Sequence, residues 1–166
     1  MTDQTNDIRG RLELYGFCID AQRWDLFDRI FDREVLTVRH GDNAAYTSFD
    51  QFVRGFDRVH QGFDITRHSM SNFIIDIQGN RATSLTYGQW RLVKFGTPGG
   101  DCWASEGWYE DDWALTSVGW RIRRRQSWEL WGDGNPAIIG IDQRQFEARR
   151  KPLVSSAHAK AMFKTE

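Results

Sequence analysis

From Ile8 to Ile19 apolar side chains return every three or four residues, at Ile8, Leu12, Tyr15 and Ile19, with Leu14, Phe17 and Cys18 widening the stripe. Thr5, Asn6 or Asp7 can cap this run, which predicts an N-terminal helix of about four turns fraying near Asp20. Trp24, Leu26, Phe27, Ile30 and Phe31 predict a second, short amphipathic helix. Val35 to Arg39 reads as a strand closed by the turn HGDNA, with Ala45 to Thr47 as its return. A third helix follows, capped by Ser48, with Phe49, Phe52, Val53, Phe56 and Val59 in helical period.

From His68 onward the period changes to two. In TRHSMSNFIID, alternation places His68, Met70, Asn72 and Ile74 on one face and Ser69, Ser71, Phe73 and Ile75 on the other. A face that mixes His68 and Asn72 with Met70 and Ile74 suits the wall of a half-polar pocket better than a pure core or a solvated surface. Further strands run over Phe73 to Ile77, Arg81 to Lys94, Cys102 to Ala114 and Trp120 to Trp131, separated by QGN, FGTPGGD and TSVG. Helices segregated from an antiparallel sheet give an α+β fold. A strongly curved sheet closed by three N-terminal helices makes a cone-shaped barrel with a cavity at its mouth.

On the last strand Trp120, Ile122, Arg124, Gln126 and Trp128 alternate against Arg121, Arg123, Arg125 and Ser127. The run RIRRR reads as a solvated sheet face paired with Glu106, Glu110, Asp111 and Asp112. Residues 1–135 thus form the cone and 136–166 a short helix, over IDQRQFEARRK, with a loose tail or subunit-contact arm from Pro152.

Composition narrows the function classes. Lys plus Arg is 22 against 23 Asp plus Glu, so no net field favours nucleic acid or an anionic membrane. No apolar run approaches the roughly 20 residues of a membrane span, and MTDQTND is unlike a signal peptide, so a cytoplasmic protein is expected. Cys18 and Cys102 lack metal or disulfide spacing, and no ligand cluster calls for a metal or cofactor. Eight Trp and 11 Phe supply core and also suit the walls of a cavity for a flat ligand.

Asp20 stands where a helix C-terminus disfavours a carboxylate. Capping of the next helix is one reason for it; contact with an imidazole is another. His68 likewise reads either as a histidine satisfied by a backbone carbonyl or as a pocket group. His40 and His60 read as surface or edge residues without chemistry.

Three landmarks in fixed order, YGFCIDAQRWD, RHSMSN and SEGWYEDDWALTSVGWRIRRR, resemble the SnoaL-like branch of the nuclear transport factor 2-like superfamily over residues 6–134. The sequence is similar to scytalone dehydratase, bile acid 7α-dehydratase and hexachlorocyclohexane dehydrochlorinase, which eliminate a small group using a histidine paired with an aspartate. By that resemblance Asp20 and His68 are the pair, and Tyr15, five residues before Asp20, is the family tyrosine. Scytalone dehydratase carries a second histidine on the following strand, where this chain has Tyr87, Gln89 and Trp90.

The resemblance implies a cofactor-independent lyase or isomerase, by dehydratase-like elimination, acting on a small hydrophobic substrate of cyclic, polyketide, steroid or aromatic type. His68 would take an acidic C–H proton, Asp20 hold its tautomer and Tyr15 donate to the developing oxyanion or leaving hydroxyl. Asn72, Met70, Trp90 and Tyr87 are the expected substrate contacts, Asn72 reading equally as a structural amide. The alternative is a non-catalytic subunit or ligand-binding protein, such as the small subunit of a ring-hydroxylating dioxygenase, with Asp20 and His68 as a structural bond. The family pattern also implies a homodimer or higher homo-oligomer through the outer sheet face.

Overall fold

The computed structural model describes residues 3–42 and 45–163. Asn43 and Ala44, inside the predicted HGDNA turn, and the last three residues of the C-terminal tail lie outside them. Helix α1 (Gln4–Asp20) is capped by Asp3, whose carboxylate accepts the Thr5 amide. A 3₁₀ turn (Trp24–Arg29) replaces the short second helix, and β1 (Thr37–His40) and α2 (Phe49–His60, capped by Ser48) follow. Four long strands come next: β2 (Ile65–Gln78), β3 (Arg81–Val93), β4 (Cys102–Thr116) and β5 (Gly119–Gly134). A 3₁₀ turn (Pro136–Ile139), α3 (Gln143–Arg149) and α4 (Ala157–Met162) end the chain.

The strands form one curved, unclosed sheet in the order β1-β5-β4-β3-β2, antiparallel except that β1 runs parallel to β5. The main core lies between the concave face and the N-terminal elements: Ile8, Leu12, Tyr15 and Ile19 of α1 and Phe52 and Phe56 of α2 meet Tyr109, Trp113, Trp120 and Ile122. The fold is therefore the α+β cone that the periodicities predict.

Bulges alter the simple alternation. The register of β2 on β3 shifts between Ser71 and Ile74, and Asn72 inside that shift adopts φ +52°. The extra residue flips the second half of β2. His68 and Met70 face inward, but Phe73, Ile75 and Ile77 then join the core while Asn72 and Ile74 are exposed. The assignment of Asn72 and Ile74 to the pocket face is thereby corrected. Left-handed backbone favours Asn and Gly, so Asn72→Val is expected to cost about 1–2 kcal/mol and Asn72→Gly far less. Urea unfolding checks this; a Val variant as stable as wild type would contradict the bulge.

On β5 the register shifts opposite Asp112/Trp113 and again opposite Glu106/Gly107. Trp120 and Ile122 point into the cone, and after the first bulge Arg125, Ser127 and Glu129 do so in their turn, as the inward-facing Asp111, Tyr109 and Gly107 are their partners. The arginine run is thus not one solvated face. Arg124 meets Asp112 across the strands, both about half exposed, but Arg125 and Asp111 are wholly buried inside the cone.

The residues after Pro152 are not a loose tail in the described part. Leu153, Ala159 and Met162 pack on Leu85, Tyr87, Trp108 and Trp128 of the outer sheet face, and the Ser156 hydroxyl donates to Glu110. Trp128 is half-buried, with the Lys151 ammonium 3.5 Å from its ring centroid. Phe146 of α3 stacks edge-on against Trp103 and, with Ile138 and Leu92, forms a second cluster.

Candidate active site

α1 reaches β2 closely because Gly16 has no side chain: a Cβ there would come within 3.0 Å of the His68 carbonyl oxygen. One helical turn later Asp20 meets three donors from β2. Its Oδ2 accepts the His68 amide at 2.8 Å, and its Oδ1 accepts the His68 ring at Nδ1 (2.7 Å) and the Thr66 hydroxyl (3.0 Å). These bonds offset the unfavourable end of the helix dipole. The 3₁₀ turn that follows has no side-chain cap, so the capping role proposed for Asp20 is not adopted. Because a carboxylate only accepts, Nδ1 carries the proton and Nε2 keeps a free lone pair.

His68 lies on the wall of a cavity of about 430 Å³. Phe56, Phe63, Trp90, Leu92 and Ile138 supply apolar lining; Tyr15, His40, His60, Tyr109 and Glu129 supply polar groups. Of the residues expected to contact substrate, Trp90 lines the cavity. Met70 faces inward but packs into the core below it. Tyr87 has the opposite parity from Trp90 and sits in the outer-face cluster with Leu85 and Trp108, which corrects its assignment, and Asn72 is exposed on the far side of the bulge.

His40 and His60, read as surface residues, both line the cavity, and His60 is buried. The His60 ring at Nδ1 donates to the Phe56 carbonyl at 2.8 Å, and its centroid lies 6.0 Å from that of His68. His40 Nδ1 lies 2.7 Å from Ser127 Oγ, which in turn lies 3.3 Å from the Arg39 carbonyl oxygen. A signal for His60 was present in the chain: it stands four residues after Phe56 and continues the stripe Phe49, Phe52, Phe56.

Burial, then the charge of Arg125 and the neighbouring His60, push the His40 ring down to about 4; burial likewise lowers His60. Unfolded imidazoles take up protons below about pH 6.5, so the fold, which keeps these rings neutral, loses stability as pH drops from about 6.5 towards 4. The urea midpoint is expected to fall across that window, and less steeply in His40→Gln. An identical slope in that variant would contradict the assignment.

Behind the cavity, Tyr15 and Tyr109 meet edge to face at 5.9 Å, and the Arg125 guanidinium carbon lies 4.2 Å and 4.6 Å from their ring centroids. Burial raises both phenols, with Arg125 opposing it, so each hydroxyl keeps its proton and remains a donor. Burial alone would lower Arg125, but Asp111 more than reverses this and the guanidinium stays charged. Among the described residues no group of three or more His, Cys, Asp or Glu is arranged to hold a metal.

The SnoaL-like domain family matches residues 2–126. The chain belongs to that family. This SnoaL-like protein is 27% identical over 133 residues to the uncharacterized protein Rv2910c of Mycobacterium tuberculosis, covering 72% of this chain and 84% of the relative. Its fold is shared by a candidate scytalone dehydratase from Novosphingobium aromaticivorans (TM-score 0.71, 18% identity, 81% of this chain and 91% of that one). LinA also shares it (TM-score 0.66, 10% identity, 82% and 88%). So does a nuclear transport factor 2-like superfamily protein from Salmonella enterica (TM-score 0.68, 18% identity, 76% and 90%). The SnoaL-like protein therefore shares the fold of these three structures.

Proposed function

We propose that this protein is a cofactor-independent lyase or isomerase that removes an acidic C–H proton from a small hydrophobic, cyclic carbonyl compound. The observation that carries the reading is the His68–Asp20 pair on the wall of an open, largely apolar cavity, with His68 Nδ1 turned to the carboxylate. A scaffold would fill that space with side chains, whereas a cavity of about 430 Å³ beside the pair supports a ligand-binding role. An imidazole whose Nδ1 proton is held by a carboxylate can take a proton at Nε2. Asp20 holds the tautomer and stabilises the imidazolium that forms. Tyr15, a buried donor, stabilises the enolate oxygen.

Loss of a β-substituent from that enolate gives elimination; return of the proton at another carbon gives isomerisation. Both begin with the same abstraction, so a ketone without a leaving group tests the shared step. The test is deuterium uptake from D₂O into the α-positions of 2-tetralone, followed by proton NMR. Catalysed exchange well above the buffer rate is expected. Exchange at the buffer rate would instead favour the non-catalytic, ligand-binding reading.

A further inference from the structure

Abstraction by His68 makes no use of Glu129. Glu129 of β5 lines the same space, and its Oε2 is sealed from solvent with no hydrogen-bond partner among the described residues. β2 and β5 are separated by two strands, and the curvature of the sheet puts His68 and Glu129 on the wall of one cavity. Across the sheet, Glu129 is in register with Gly107, Gly88 and Met70. A Cβ at Gly88 would strike the Tyr109 ring at 2.5 Å, and one at Gly107 would strike the Trp128 carbonyl oxygen at 1.9 Å and lie 2.9 Å from the Trp90 ring. The space beside Glu129 is thus floored by aromatic rings rather than polar partners.

The position of Glu129 is set from two sides. A bulge follows it on β5, and its carbonyl accepts the Lys151 amide from the C-terminal segment at 2.8 Å. The charged and titratable groups that line the cavity with Glu129 are Arg149 after it in sequence, Lys94 beyond β3, His40 on β1, His60 on α2, His68 on β2, and the phenols of Tyr15, Tyr46 and Tyr109. Burial raises the Glu129 carboxyl above the ordinary glutamate range, against the pull of Arg149. A protonated carboxyl is a hydrogen-bond donor, and Glu129 stands on the cavity wall, where a ligand oxygen would be its acceptor.

We propose that Glu129 is the general acid that protonates the departing oxygen of a β-hydroxy carbonyl substrate while His68 acts as the base. This rests on the elimination reading above and assigns the substrate class: a hydroxyl, rather than a halide, as leaving group. His68 Nε2 takes the α-proton, and the C–H pair becomes the new C=C bond. The C–O pair leaves with oxygen, which takes the Glu129 proton and departs as water. The resulting imidazolium and carboxylate re-equilibrate with solvent, so no other reactant is consumed.

Two probes that differ only in the leaving group test this, 3-hydroxycyclohexanone and 3-(4-nitrophenoxy)cyclohexanone, both yielding cyclohexenone. Hydroxide needs protonation to leave; 4-nitrophenolate does not. Glu129→Gln is expected to slow loss of water by about 100-fold and loss of nitrophenolate at least tenfold less, with Glu129→Asp intermediate. Equal falls with both probes, or none, would overturn the role of Glu129 while leaving His68 as base. A wild type that turns over neither probe would overturn the elimination reading and this assignment with it. In the ligand-free protein, the Glu129 carboxyl carbon, assigned through Glu129→Gln, is expected to titrate above about 4.3, the ordinary glutamate value. Titration at or below that value would also overturn the proposal.

Discussion

Asp111→Asn is expected to destabilise the protein by about 3–5 kcal/mol, the largest effect of any single polar substitution considered. The Arg125 guanidinium forks onto the Asp111 carboxylate, Nε to Oδ1 at 2.7 Å and Nη2 to Oδ2 at 2.8 Å, and neither side chain has any solvent exposure. Arg125 Nη1 has no partner among the described residues, so the pair is already incompletely satisfied. Removing the carboxylate charge leaves a guanidinium that cannot lose its proton and cannot reach water. The rings of Tyr15, Tyr109 and Phe31 around it offer only cation–π attraction.

A matched control stands on the adjacent register position. Arg124 and Asp112 form a pair at 3.5 Å with side chains 42% and 44% exposed, and Asp112→Asn is expected to cost less than about 1 kcal/mol. The double variant Asp111→Leu with Arg125→Met, which removes both charges, is expected to regain most of the loss. Urea unfolding of the three variants decides the matter. Equal costs for Asp111→Asn and Asp112→Asn would mean that the Arg125 pair is not buried as described.

The second large effect is on activity. Asp20→Asn is expected to lower α-hydrogen exchange of 2-tetralone by about 100-fold or more in protein that remains folded. The amide side chain is nearly isosteric and can still accept a hydrogen bond, but it supplies no charge to stabilise an imidazolium. It can also turn its NH₂ towards the ring and select the tautomer with the proton on Nε2, which cannot act as base towards the cavity. Long-range proton–nitrogen NMR reads that tautomer directly. Wild type is expected to hold the proton on Nδ1 of His68 and Asp20→Asn to shift it in part to Nε2. A variant with wild-type tautomer and wild-type exchange would reduce the pair to a structural contact.

Periodicity was enough for the fold because each long element buries one regular stripe. Ile8, Leu12, Tyr15 and Ile19 face the core as the spacing requires, and Ser48 caps α2. The contact between Asp20 and His68 joins residues 48 apart, which no local spacing contains. Only the resemblance of the ordered landmarks brought them together in advance. Asn72 was misplaced because strict alternation assumes no bulge, and a single extra residue reverses every side chain after it. The same error hid Arg125 and Glu129: each follows a register shift on β5, and each turns inward where simple parity put Arg125 on a solvated face and gave Glu129 no role. Tyr87 was a different error, since it and Trp90 differ in parity on an unbroken strand and cannot share a wall. His40 was hidden by the brevity of β1, four residues long, whose inward face is defined by its partner β5 rather than by its own pattern.

The most direct measurement of the central claim is deuterium uptake into 2-tetralone by wild type and by His68→Gln, at neutral pD and with both proteins shown to be folded. The account predicts exchange well above buffer in wild type and a fall to the buffer rate in His68→Gln. Exchange in the variant equal to that of wild type would show that the proton goes elsewhere and that His68 is not the base.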